Sequence, residues 1–162
     1  MAGVALIPTA GEMTARIFDN PNIGIPPTLF FDIEIPVRPF KYKGKTQKTS
    51  AVLEFIDFGV GDWRELPGRE FTFPKNPEEG FIDGSLLLED AHNPADATRI
   101  RFAPLKGTAI LPASLDIEFD FTQEGLEELG TISVTWDVEL AIDPRALDAV
   151  CEEARRVVKG RK

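Results

Sequence analysis

Apolar and polar residues alternate with a period of two through the C-terminal half of the chain. Ile132, Val134, Trp136, Val138, Leu140 and Ile142 are apolar, and Thr131, Ser133, Thr135, Asp137 and Glu139 fill the positions between, with Ala141 the exception. Successive side chains of a strand point to opposite faces, so this pattern predicts a half-buried β-strand over 131–142. A second such strand lies just upstream, where Leu115, Ile117, Phe119 and Phe121 alternate with Asp116, Glu118 and Asp120. It belongs to a longer strand over 108–121, bent at Pro112. In both strands the polar face carries acids. If the two strands pair, as sequential strands usually do, these carboxylates become cross-strand neighbours.

The same reading predicts strands over 29–35, 50–58, 70–73, 81–89 and 97–105, with a shorter one over 14–18. Residues 1–28 are otherwise expected to be loosely ordered, because 20–28 (NPNIGIPPT) is turn chemistry. Pro36 and Pro39 place 37–43 on an edge turning at Gly44-Lys45, since proline cannot donate to a central ladder. Gly84, inside its strand, marks a bulge or a close backbone approach. Residues 90–96 are expected to form a loop.

From residue 144 the period changes. Leu147, Val150, Cys151, Ala154, Val157 and Val158 recur at spacings of three and four, which predicts an amphipathic helix over 144–159. Asp143 caps it, Pro144 suits its first position and Gly160 stops it. Its apolar stripe must be covered, either by the open end of the chain's own sheet or by a second subunit. The fold class that follows is mainly β: an antiparallel sandwich, or barrel-like sheet, of about eight strands with one C-terminal helix. No internal repeat or composition break divides residues 1–162, so a single domain is expected.

The 162 residues include twelve Phe and two Trp, the material of an aromatic core. Cys151 is the only cysteine. An internal disulfide and a multi-cysteine zinc site are therefore excluded. No apolar run reaches the ~20 residues that span a bilayer, and the N-terminus lacks a signal-peptide pattern. These features point to a soluble, reduced, cytoplasmic protein. The net charge of −9 disfavours nucleic-acid and membrane binding and favours a basic partner. The basic residues cluster in two acid-free stretches, Arg38, Lys41, Lys43, Lys45 and Lys48, then Arg155, Arg156, Lys159, Arg161 and Lys162. The first interleaves with Phe40 and Tyr42. That pattern can stack on single-stranded nucleic acid, but it also guards a sheet edge or neutralises neighbouring acidic strands.

Catalytic motifs are missing. There is no G-x-S-x-G elbow, and Gly59-Val60-Gly61 begins a phosphate-loop pattern that Arg64 breaks. Cys151 sits mid-stripe, where core packing is expected rather than thiolate chemistry. The lone His92, with Asp83, Asp90 and Asp96 near it in sequence, is a candidate divalent-metal site of mixed nitrogen and oxygen ligands, or a carboxylate-oriented general base. Its neighbours match no defined ligand spacing, so solvated turn material is the alternative and no cofactor is the simpler expectation. Trp63, flanked by charge, is expected either to cap the core or to serve as a partner-binding anchor.

The leading functional expectation is a non-catalytic interaction or inhibitor protein, comparable in size and charge to bacterial immunity proteins. Its acidic face, Asp116, Glu118, Asp120, Asp137 and Glu139, with Trp63, would dock a basic partner. A metal-binding domain or enzyme around His92 is the second reading. A barrel holding an apolar ligand is the third.

Overall fold

The alternating segments form strands close to where their spacing places them. The computed structural model describes residues 4–159. It contains β1 (Gly11–Asn20), β2 (Ile25–Pro36), β3 (Phe40–Tyr42), β4 (Lys45–Gln47), β5 (Ser50–Ile56), β6 (Glu70–Thr72), β7 (Asp83–Leu88), β8 (Ala91–Phe102), β9 (Ile110–Asp120) and β10 (Thr131–Ala141). A single helix, α1 (Pro144–Lys159), follows. The fold is mainly β. An eight-stranded sheet runs β6-β8-β7-β5-β2-β1-β10-β9 and closes because β8 also pairs with β9, while β3 and β4 form a separate hairpin.

Closure explains two departures from a simple antiparallel sandwich. Leaving β6 aside, the ring holds an odd number of strands, so directions cannot alternate all the way round. The mismatch falls between β1 and β10, which run parallel and pair only at Gly11–Leu140 and Glu12–Ala141. The ring is also strongly sheared. One row runs from Ile110 through Ala141, Glu12, Glu34, Val52 and Ser85 to Pro94. The next residue, Ala95, pairs with Phe119, at the far end of β9 from the starting point. This stagger carries β8 beyond β7, and its protruding half takes β6 on that side.

The interior is aromatic. Phe31, Phe58, Phe71, Phe73 and Phe102 form tilted and edge-on contacts with centroids 4.8–6.2 Å apart, and Phe119 packs on Trp136 at 5.5 Å. Gly84 is a close approach. A Cβ there would lie 2.2 Å from the Ala95 carbonyl oxygen and 2.8 Å from Leu53.

Four local expectations change. Residues 11–20 are not loose but form a long strand between β2 and β10. Asn20 caps a 3-10 turn at Pro21–Ile23 that Gly24 closes, so the proline-rich segment divides into a tight connection and the start of β2, which holds Pro26 and Pro27. Residues 91–96 are strand rather than loop. The β7–β8 turn is Glu89-Asp90, with φ of 52° and 62°. The β3–β4 turn is Lys43-Gly44, one residue earlier than expected, with φ of 52° and 78°. Both have the positive-φ pair of a type I′ hairpin, which normally signals itself through Asn or Gly. Glu89-Asp90 carries no such signal. Finally, Pro112 does not interrupt β9, whose register with β10 is unbroken from Ile110 to Asp120.

Helix α1 forms as its stripe predicts. The Asp143 carboxylate accepts from the backbone N–H groups of Arg145 and Ala146 at 3.1 and 3.2 Å. Leu147, Cys151 and Ala154 are buried, and the helix packs on β1, β2 and a 3-10 turn at Trp63–Glu65. The chain's own sheet covers the centre of the stripe, while Val150, Val157 and Val158 stay partly exposed. A second subunit is therefore not needed to bury Leu147, Cys151 and Ala154, the main reason for expecting self-association through 147–158. Gly160, Arg161 and Lys162 lie outside the described residues. No helix among the described residues is long and apolar enough to cross a membrane.

Candidate functional site

The predicted acidic ribbon sits on the outer face of β8, β9 and β10. The strands pair, but register keeps the acids of β9 from facing those of β10. Asp116 lies opposite Thr135, Glu118 opposite Ser133 and Asp120 opposite Thr131, while Asp137 faces Ser114. These four carboxylates thus meet hydroxyl-bearing residues and Glu139 meets Pro112, which removes the like-charge cost of roughly 0.2–1 kcal/mol per directly opposed pair. The expectation of cross-strand carboxylate neighbours between β9 and β10 is corrected accordingly. The one directly opposed acidic pair on this face is Asp96 with Glu118, between β8 and β9.

Local cations compensate most of the ribbon. Arg99 donates to both oxygens of Asp116 at 2.9 and 3.2 Å, and Thr135 adds a hydroxyl bond at 2.8 Å. The Arg99 bonds first, then that of Thr135, hold the Asp116 carboxyl below the usual carboxylate range. Lys75 binds Glu118 at 2.8 Å and Lys106 binds Glu139 at 2.6 Å. Asp120 is occupied locally by the Thr122 hydroxyl and N–H and by Gln123, which also lower its pKa. Asp137 is different. Among the described residues it makes no side-chain hydrogen bond or ion pair, and it is exposed.

Beside Asp137 the face is concave. A groove of about 650 Å³ runs across the ends of β8, β9 and β10, lined by Arg101, Pro104, Pro112, Ser114, Asp137 and Glu139 among others. Register places Arg101, Ser114 and Asp137 in one row. A smaller depression of about 270 Å³ continues the same face over Lys75, Glu118, Ser133 and Thr135.

Trp63 is not on this surface. It is 2% exposed, and its indole N–H donates to Asp148 of α1 at 2.9 Å. Arg64 ion-pairs with the same carboxylate, and Arg155 reaches back to Asp62 at 3.0 Å. Trp63 therefore caps the core by tying its turn to the helix, and the reading as a partner-binding anchor is corrected.

The residues grouped around His92 are not brought together. Asp83 opens β7 opposite Glu54, His92 lies opposite Leu87, Asp90 occupies the hairpin turn and Asp96 faces Glu118. His92 to Asp96 spans four residues of extended strand, about 13 Å. Among the described residues, no group of three or more His, Cys, Asp or Glu side chains is placed to hold a metal ion. The His92 imidazole is exposed and makes no hydrogen bond to a carboxylate that could orient it as a base. Cys151 is fully buried, and desolvation pushes its thiol up from its ordinary pKa. In the basic hairpin, Tyr42 is buried and donates to Glu128, and Lys43 lies 3.5 Å from the same carboxylate. This part of the hairpin neutralises a neighbouring acid, and the tyrosine ring is not free to stack on a base.

Three features escaped the sequence reading. Glu12 and Glu34 stand directly opposite one another on β1 and β2, exposed and, among the described residues, without an ion pair. Phe55 has a φ of 55° at a bulge in β5, where the Asp32 carboxylate accepts its N–H at 3.0 Å. The bulge turns Phe55 toward Phe18 and Phe30 on the outer face, with the Arg16 guanidinium 3.9 Å above its ring. Asn93, fully buried, fastens the β7–β8 hairpin through the Leu86 and Ala91 carbonyls. None of these shows in a single strand's pattern, because each depends on which strand lies next to it.

No family model, curated protein or solved structure matches this chain.

Proposed function

We propose that this chain is a non-catalytic interaction protein, of the inhibitor type, which takes a basic partner on the outer face of β8–β10. The observation that carries this reading is the groove of about 650 Å³ with Asp137 on its wall. Asp137 is the one carboxylate of the predicted ribbon that no neighbouring side chain satisfies. A lysine or arginine entering the groove would meet this charge and the adjacent Glu139, whose own partner, Lys106, is exposed and readily displaced. The remaining acids contribute a field rather than contacts, since Arg99 and Lys75 already hold Asp116 and Glu118. The net charge of −9 would speed encounter with a basic surface and make binding salt-dependent. A single buried thiol fits a reducing compartment, in keeping with a cytoplasmic site of action.

The test is a heteronuclear NMR titration of the whole chain with an arginine-rich peptide at low salt, repeated with the double variant Asp137→Lys/Glu139→Lys. Saturable shifts over 112–116 and 137–139 that vanish in a folded double variant are expected. Shifts spread evenly over the acidic surface, or unchanged in the double variant, would sink the reading.

A further inference from the structure

The seam between β1 and β10 leaves a strand edge without a partner. β1 pairs with β2 along its length, but its other edge meets β10 only at Gly11 and Glu12. Beyond Glu12 the chain of β10 turns away through Ile142 and Asp143 into α1. Among the described residues no strand pairs with that edge of β1 from Met13 to Asn20. Unpaired edges invite another strand, and folded proteins usually block them with proline, lysine, a bulge or a covering element. Here α1 stands beside the edge but does not close on it. A cleft of about 460 Å³ remains, with Met13, Thr14 and Ala15 on the strand side and Ala146, Leu147 and Val150 on the helix side. Ala15 and Ile17 share the inward face with buried Met13, yet both stay partly exposed.

We infer that this cleft docks an extended, alternately aliphatic and basic segment of a partner protein, added as a strand to the free edge of β1. Strand addition supplies main-chain hydrogen bonds, and alternate side-chain positions supply selectivity. Inward residues of the added strand would enter the cleft against Ala15 and Leu147. Outward residues would lie beside Thr14, diagonal to Glu12 and within reach of a long side chain. The charge there is specific. Among the described residues Glu12 and Glu34 oppose one another with no ion pair, and the nearest outward cation along β1, Arg16, is held by Asp32 at 2.8 Å and Glu54 at 3.6 Å. A lysine or arginine on the incoming strand would relieve the glutamate pair. A second copy of the chain is a poorer occupant, since it brings a further net charge of −9 and another unrelieved pair. This cleft is separate from the β8–β10 groove and does not depend on it.

The experiment is a titration of the full chain with a capped peptide alternating valine and lysine, followed by calorimetry and amide hydrogen exchange. Binding should protect amides within 13–18. Ala146→Trp fills the cleft from an exposed position, so it should leave the melting temperature unchanged and weaken binding at least about tenfold. Glu12→Lys should weaken it too, whereas Asp137→Lys/Glu139→Lys should not. Absence of binding, binding that survives both Ala146→Trp and Glu12→Lys, or protection on β9 and β10 instead would overturn the inference. So would sedimentation showing a dimer that Ala146→Trp dissolves, because the occupant would then be a second copy.

Discussion

Two acidic regions of this molecule look alike in sequence and differ in structure. On β9 and β10, four of the five acids meet hydroxyl-bearing residues across the ladder, and Arg99, Lys75 and Lys106 hold Asp116, Glu118 and Glu139. On β1 and β2, Glu12 meets Glu34 with no ion pair among the described residues, beside a strand edge that no described strand pairs. The richer cluster is therefore largely compensated, with Asp137 alone of its five acids left over among the described residues. Local charge density does not locate unsatisfied charge. Cross-strand register does: a slip of two residues, which keeps every side chain on its face, would set Asp116 opposite Asp137 instead of Thr135.

The largest effect that bears on this contrast lies at the helix wall of the β1 seam. Leu147→Ala should cost about 2–4 kcal/mol, since Leu147 is 2% exposed and its removal leaves a cavity under α1. Urea unfolding measures it, and a loss under about 1 kcal/mol would mean that the helix is not anchored as described. Next, Asp116→Asn should cost about 1 kcal/mol, because it breaks a two-point charged contact and leaves a guanidinium whose side chain is only 24% exposed with Ser114 and the longer Glu70 contact alone. Glu118→Gln, which loses a single exposed lysine contact, should cost less than half as much. Equal effects would remove the distinction between bidentate and simple pairs on that face.

A smaller change, of opposite sign, is expected at the seam. Glu12→Gln should stabilise by about 0.2–1 kcal/mol at low salt by relieving the glutamate pair, while Asp137→Asn should be neutral. Destabilisation by Glu12→Gln would show that the pair is already compensated. The smallest effect is in the acid limb. Asp116 and Asp120 are held below the ordinary carboxylate range, so the fold favours their ionised forms. Their contribution is complete above about pH 5, declines as pH falls through the unfolded value near 3.9, and is lost below the folded values. Stability measured against pH should therefore fall on acidification, and Asp116→Asn should flatten that slope.

Much of the fold was legible in local pattern. The period-two segments of 131–142 and 115–121 became β10 and β9, and the period of 3.6 after Asp143 became α1 with its cap in place. Local pattern misled where a conformation was set by neighbours. Residues 14–18 read as a short strand in a loose segment, yet β2 pairs with β1 along its length. The Glu89-Asp90 turn carries no glycine or asparagine, yet β7 and β8 are held together by Asn93 within the core. The candidate sites were legible only as lists of residues. Asp137 could be named as outward-facing from its alternation, but its lack of a partner depends on where Arg99, Lys75 and Lys106 end.

The sequence by itself determined the mainly-β class, the faces of its long strands, the amphipathic helix and the burial of Cys151. Each follows from periodicity and side-chain chemistry within a few residues. Only the tertiary structure decided the closed, sheared ring, the parallel β1–β10 seam with its unpaired edge, the covering of the helix stripe by its own sheet, and the dispersal of Asp83, Asp90, His92 and Asp96. Those outcomes rest on which strands become neighbours and in what register, and closing an odd-numbered ring fixes that globally.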